Sequence, residues 1–166
     1  MTPREIIDAL GLSPHPEGGF FAETYRSDET VPDGAIPPRY AGARALGTAI
    51  YFLVTADSFS AMHRLLSDEV YHVYAGDPVE LLILGPGDAG RTVVLGPDVA
   101  AGMRPQAVVP RGAWQGCRVR PGGTFALLGT TVAPGFDVRD FELGRRDRLV
   151  RLYPALREMI AALTRS

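Results

Sequence analysis

The chain has 166 residues, with 19 acidic against 17 basic side chains and a net charge of −2. That balance supplies no broad positive field for a phosphate backbone, so no nucleic-acid partner is expected. All 17 basic residues are arginines, and without lysine there can be no Schiff-base amine and no P-loop lysine on a nucleotide phosphate.

In chain order, Thr2, Pro3 and Glu5 read as a helix start, with an N-cap, a proline at the first helical position and the acidic partner of a capping box. The resulting helix lies within 1–12 and runs to about Leu10. The opening Met1-Thr-Pro-Arg-Glu5 lacks the apolar core of a secretory signal, and one cysteine cannot form an internal disulfide. A cytoplasmic setting is therefore expected.

From Phe20 to Glu142 the pattern changes to short runs rich in Val, Ile, Phe and Tyr, broken by Gly and Pro. The predicted strands are 20–26, 46–54, 58–63, 69–75, 79–84, 91–95, 106–109, 113–120, 123–133 and 138–142. This spacing signals an all-β sandwich or barrel over 18–143. Segment 26–44 carries Pro32, Pro37 and Pro38 and reads as a loop over a barrel mouth. The apolar run at 46–56 falls well short of the ~20 residues a membrane-crossing helix needs, so no membrane partner is expected. It is apolar on both parities, with Ile50, Phe52 and Val54 opposite Tyr51 and Leu53, so its second face requires a cover from a terminal helix or a partner subunit.

The segment 85–90 satisfies G-x-G-x-x-G but precedes the strand-like 92–95 run, which makes it a hairpin loop and not a pyrophosphate cradle. Cys117 sits in a strand-like run and reads as a buried, inert thiol. Over 145–164, Leu149, Leu152, Leu156, Ile160 and Leu163 keep helical spacing, interrupted at Pro154, so one or two helices should pack on the barrel exterior. By length, 1–166 is a single domain.

Candidate chemistry centres on His63 and Glu69. Ser60 and Ser67 flank His63, but there is no G-x-S-x-G elbow of the kind a serine hydrolase uses. Side chains alternate along a strand, so Glu69, Tyr71 and Val73 share one face and Val70, His72 and Tyr74 the other. With Glu69 inward, His72 points outward into a structural role. His15, in a Pro-rich turn beside Glu17 and Gly18-Gly19, reads as a turn residue. Arg26 and Arg64 are candidates for meeting an anionic group bidentately, with a surface ion pair as the competing interpretation for each.

His63, Glu69 and Gly76 also have the spacing of the first cupin motif, G-x5-H-x-H-x3-4-E-x6-G. Pro110, Gly112 and Gln115 fit the second, G-x5-P-x-G-x2-H-x3-N. Leu65 stands where the first motif has its second histidine and Gln115 where the second motif has its own. Together with the blocks 12–27 (LSPHPEGGFFAETYRS), 48–54 (TAIYFLV), 68–76 (DEVYHVYAG), 109–115 (VPRGAWQ) and 133–143 (APGFDVRDFEL), the chain is similar to the cupin-5 type family. That resemblance implies a cupin-type jelly-roll barrel like that of the deoxythymidine-diphosphate-sugar epimerases, with short terminal helices, and a homodimer.

Three functions stay open. The first is an epimerase- or isomerase-type enzyme on a small polar or sugar-like metabolite, with His63, Glu69 and Tyr71 catalytic and Glu23, Tyr25, Arg26, Tyr51 and Gln115 binding the ligand. The second is a non-catalytic small-ligand binding module. The third is a dioxygenase-like, metal-dependent cupin enzyme, for which His72 would have to supply the second histidine that Leu65 replaces. Separately, His63, Glu69 and Gln115 are a set that would hold a divalent metal ion weakly, because an amide oxygen is a poor ligand beside imidazole.

Overall fold

In the computed structural model, residues 1–87 and 89–165 are described; Asp88, within the 85–90 loop, and Ser166 lie outside them. The chain opens with helix α1 (Pro3–Leu10) and continues through strands β1 (Ser13–Pro14), β2 (Phe20–Arg26), β3 (Thr30–Val31), β4 (Arg44–Ala45), β5 (Thr48–Thr55), β6 (Phe59–Arg64) and β7 (Asp68–Gly76). Strands β8 (Val79–Leu84), β9 (Arg91–Leu95), β10 (Gln106–Val109), β11 (Trp114–Val119), β12 (Phe125–Ala133) and β13 (Glu142–Leu143) follow, then helices α2 (Arg146–Leu152) and α3 (Arg157–Ala162).

The capping box forms: Thr2 N–H donates to Glu5 Oε2 at 2.7 Å, and Glu5 N–H donates to Thr2 Oγ1 at 3.3 Å. Gly11 ends α1 in the left-handed region, where a residue without Cβ is unstrained.

Two antiparallel sheets make a cupin jelly roll. One has the order β1-β2-β5-β12-β7-β10 and the other β13-β6-β11-β8-β9, while β3 and β4 form a separate two-stranded ribbon. Their inner faces supply the core, built from Phe52, Val54, Tyr71, Leu81, Ile83, Cys117 and Leu128 among others.

The outer face of the five-stranded sheet is also apolar, and it is sealed by α2 and α3. Met62, Leu82, Leu84 and Trp114 pack there against Leu149, Ile160 and Leu163. Full burial of each such aliphatic side chain stabilises the fold by about 2 kcal/mol. On the other side, Ile6 and Leu12 cover Leu53, with Phe20, Tyr51 and Leu127 packed around them. The second parity of the 46–54 run thus finds its cover partly in α1.

Two predicted elements differ from the structure. The strand expected at 138–142 is a 3-10 turn, Val138–Asp140, followed by the short β13. Asp137 caps that turn by accepting from Arg139 N–H at 2.9 Å, and Asp140 turns inward to Arg44, so side-chain hydrogen bonds override the alternating pattern. The 26–44 loop contains strand pairing of its own, Thr30 opposite Ala45 and Val31 opposite Arg44.

That loop is anchored by a buried ion pair. Arg44 donates to both Asp140 oxygens, at 2.8 and 2.6 Å, and to the carbonyls of Ala41, Gly42 and Ala43. Tyr40 Oη reaches the Leu66 carbonyl and Ser67 Oγ, which ties the same loop to the turn between β6 and β7.

Candidate functional site

A cavity of about 160 Å³ lies between the sheets. Strands β2, β5, β7 and β12 contribute Phe21, Ile50, Phe52, Tyr71, Thr130 and Val132 to its wall; His63 comes from β6, and Phe136 and Phe141 from the segment preceding β13. The polar lining consists of His15, Glu17, Glu23, Arg26, Thr48, Thr130, His63 and Glu69, besides the Tyr71 phenol.

His63 is buried and held from both ends. Its Nδ1 lies 2.8 Å from the Ala61 carbonyl oxygen and 3.2 Å from Glu17 Oε2, while Nε2 faces Glu69 Oε2 at 3.9 Å. A carbonyl oxygen can only accept, so Nδ1 carries a proton. The ring stacks on Phe141 with centroids 5.3 Å apart. Burial works against its charge, but Glu17 and then Glu69 outweigh it and raise the pKa to about 9, leaving an imidazolium at neutral pH.

His15 behaves oppositely. Its Nδ1 accepts from Glu17 N–H at 3.2 Å, and its ring meets Phe21 and Phe52 edge-on. Burial lowers its pKa, only partly offset by Glu17, so it stays neutral. For Tyr71, burial and then the Glu69 charge hold the phenol protonated well above its ordinary range.

Two β-bulges aim these side chains. In the β6–β11 pair, Gln115 is opposite His63 but Cys117 is opposite Ser60, so β6 carries one extra residue. Ser60 and His63 consequently share the inner face, and Ser60 Oγ donates to Glu17 Oε1 at 2.7 Å while His63 meets Oε2. In the β2–β5 pair the register slips between Glu23 and Tyr25. Arg26 therefore joins Glu23 on the cavity wall, clasping its carboxylate at 2.9 and 2.7 Å and donating also to the Phe136 carbonyl.

The same slip turns Tyr25 outward, 57% exposed. Tyr51 is likewise not on the cavity: it lies on the outer face of the sheet in the cluster under α1, edge-on to Tyr74. Neither phenol is placed to bind a ligand in the barrel. Gln115 is buried behind the wall and donates Nε2–H to Glu69 Oε2 at 2.7 Å. Arg64 points away, pairing with Glu142 and covering the Trp114 ring. His72 faces outward, bonded to Thr131 Oγ1 and Gln106. Cys117 is fully buried, with its thiol pKa pushed up by burial.

Sequence reasoning missed Glu17 and gave His15 only a turn role. Gly18 and Gly19 are the available signal. Both have positive φ, and a Cβ on Gly18 would collide with the Phe59 carbonyl oxygen, so the backbone must press against β6 there and carry Glu17 into the barrel.

The donor set does not fit a metal ion. Leu65 lines the cavity where a second imidazole would stand. Gln115 turns the donor end of its amide to Glu69, and its Oε1, a neutral and weak ligand, has no hydrogen-bond partner. His63 turns its Nδ1 to the Ala61 carbonyl and Glu17, away from the cavity side where Nε2 lies. Among the described residues, no group of three or more His, Cys, Asp or Glu side chains is placed to hold a metal.

A two-sheet barrel presenting His63 and Glu69 on its inner strands is a cupin. The family model described as "Cupin superfamily (DUF985)" matches residues 4–144, and the chain belongs to that family. A hypothetical protein from Leishmania major is 35% identical, with a TM-score of 0.88 and 100% of both chains covered. A Shewanella oneidensis protein of solved structure is also 35% identical, with a TM-score of 0.86, covering 99% of this chain and 98% of its own. An uncharacterized Saccharomyces cerevisiae protein is 28% identical over 145 residues, which is 82% of this chain and 72% of the yeast protein. Among the described residues, no helix is long and apolar enough to cross a membrane.

Proposed function

We propose that this protein binds a small polar, sugar-like metabolite in the barrel and moves a proton on it, as an epimerase- or isomerase-type enzyme. The observation that carries this reading is the His63 ring held between Glu17 and Glu69 in the wall of a cavity. The gap of 3.9 Å between Nε2 and Glu69 Oε2 is too long for a direct hydrogen bond, so Nε2–H is available to donate to a ligand oxygen in the cavity.

In the proposed step, Glu69 accepts the proton from the carbon beside a ligand carbonyl, and the carbonyl becomes an enol as His63 Nε2–H supplies its oxygen. Return of a proton to carbon and of the oxygen's proton to His63 regenerates the carbonyl and completes the exchange. A carboxylate beside an imidazolium gives the step one proton acceptor and one proton donor. Tyr71 adds a neutral phenol donor on the same wall. No step requires a metal, in keeping with the donor set.

The same reading has the chain work as a single-domain homodimer in the cytoplasm. On the outer face of the six-stranded sheet, beyond the reach of α1, Tyr74 and Val108 are about half exposed, which supports a partner subunit there.

The test is an NMR screen of small hydroxy-carbonyl metabolites in D2O. The expected result is binding, with deuterium appearing at the carbon next to the carbonyl. His63→Gln and Glu69→Gln should lose the exchange, whereas His72→Ala should keep it. Retention of binding and exchange by His63→Gln would sink the proposal. Binding without any exchange in the wild-type protein would favour a non-catalytic binding module, the reading supported by Leu65 and Gln115 at the positions of two cupin histidines.

A further inference from the structure

The balance of charge in the cavity narrows the ligand class. Glu17 and Glu69 are both buried, and among the described residues the basic side chain placed between them is His63. Arg26, the arginine on the lining, is committed to Glu23 through both nitrogens that reach it and also donates to Phe136 O. Arg44 is engaged with Asp140 and Arg64 with Glu142, and both lie off the cavity wall. Two carboxylates against one imidazolium leave one negative charge uncompensated in a largely enclosed space, and a neutral His63 would leave two. Unpaired buried charge is costly, so the site favours a ligand that brings a positive one.

The apolar walls point the same way. Phe21, Phe52, Tyr71, Phe136 and Phe141 all border the cavity. Aromatic rings attract organic cations, most strongly where water is excluded, and one of these rings, Phe141, already stacks on the His63 imidazole.

We propose that the cavity selects a small organic monocation, with an ammonium group seated against the Phe and Tyr rings and answered by Glu17 and Glu69. This rests on the reading of the cavity as a ligand site and deepens it: the metabolite carries an amine. Its cationic moiety is small, since about 160 Å³ is comparable with cavities that hold a single benzene. Phosphorylated and carboxylated ligands are rejected, because an anion would add to the uncompensated negative charge.

Three probes of nearly equal shape test it by titration calorimetry on the full chain at neutral pH: choline, its uncharged isostere 3,3-dimethyl-1-butanol, and the anionic 3,3-dimethylbutanoate. Choline should bind roughly tenfold or more tighter than the alcohol, and the carboxylate should not bind. In Glu17→Gln and Glu69→Gln, each checked for an intact melting transition, choline should lose that advantage while the alcohol is unaffected. Replacing Phe136 by Leu should weaken choline through loss of a ring, without altering any charge. Equal or tighter binding of the alcohol or the carboxylate would overturn the cation proposal and leave the cavity standing as a ligand site. Binding of none of the three also overturns it, and the ligand-site reading is then decided separately by the His63→Gln comparison in the metabolite screen.

Discussion

Glu17 and His63 meet at 3.2 Å inside the barrel, the carboxylate arriving from a turn before β2 and the imidazole from β6. Ser60 takes the other oxygen of Glu17, and Arg165, from the segment after α3, donates to the Glu17 carbonyl at 2.9 Å. One short turn is thus pinned by the barrel floor and by the chain's far end. The site depends on that turn as much as on the cupin strands.

The first prediction concerns pH. His63 binds its proton more tightly folded, with a pKa of about 9, than unfolded, near ~6.5. Its contribution is fully present below ~6.5 and is lost as pH rises through about 9, on the order of 3 kcal/mol in all. His15, with its pKa lowered by burial, acts in the other direction and removes stability as pH falls below ~6.5. Urea denaturation across pH 5–10 should therefore give a maximum near neutrality, and the alkaline decline should flatten in His63→Gln. An unchanged alkaline decline in that variant would refute the assignment.

The second concerns the Arg44–Asp140 pair, whose two side chains are almost fully buried. Removing one partner strands the other charge, so Asp140→Ala or Arg44→Ala should each cost about 3–5 kcal/mol. Replacing both with apolar residues should cost less than the sum of the single changes. A double-mutant cycle on urea midpoints checks this, and strict additivity would show that the pair is not coupled.

Metal content provides the third. Protein purified without chelator or nickel resin should contain far less than one equivalent of any divalent transition metal, and dialysis against EDTA should leave its melting temperature unchanged. Elemental analysis near one equivalent per chain, lost in His63→Ala, would overturn the reading of the donor set.

The fourth addresses assembly. Light scattering at micromolar concentration should return the dimer mass, with an interface on the order of 2,000 Å². Tyr74→Arg and Val108→Arg, on the outer face of the six-stranded sheet, should shift the mass toward the monomer without changing the fold by circular dichroism. A monomer mass for the wild-type protein refutes the proposal outright.

Much of the architecture was legible because it is written in short-range patterns. Turn residues mark nearly every strand boundary, the Thr2–Glu5 capping box announces α1, and alternation in β7 puts Glu69 and Tyr71 inward and His72 outward. The spacing of His63 and Glu69 identified two members of the cavity wall. Where alternation ended in side-chain capping, as at Asp137, the strand prediction failed.

What the sequence could not convey is decided between segments far apart in the chain. The extra residue in β6 that sets Ser60 and His63 on one face exists only in register with β11, and the slip that exchanges Tyr25 for Arg26 exists only in register with β5. Tyr51 is drawn outward because α1 docks on its side of the sheet, and Glu17 enters the barrel because Gly18 lets the backbone press on Phe59. Alternation is a property of neighbouring residues and can be read along the chain. Bulges, docked helices and a folded-in turn are settled by which distant backbone supplies the hydrogen bonds, and tertiary structure alone makes that choice.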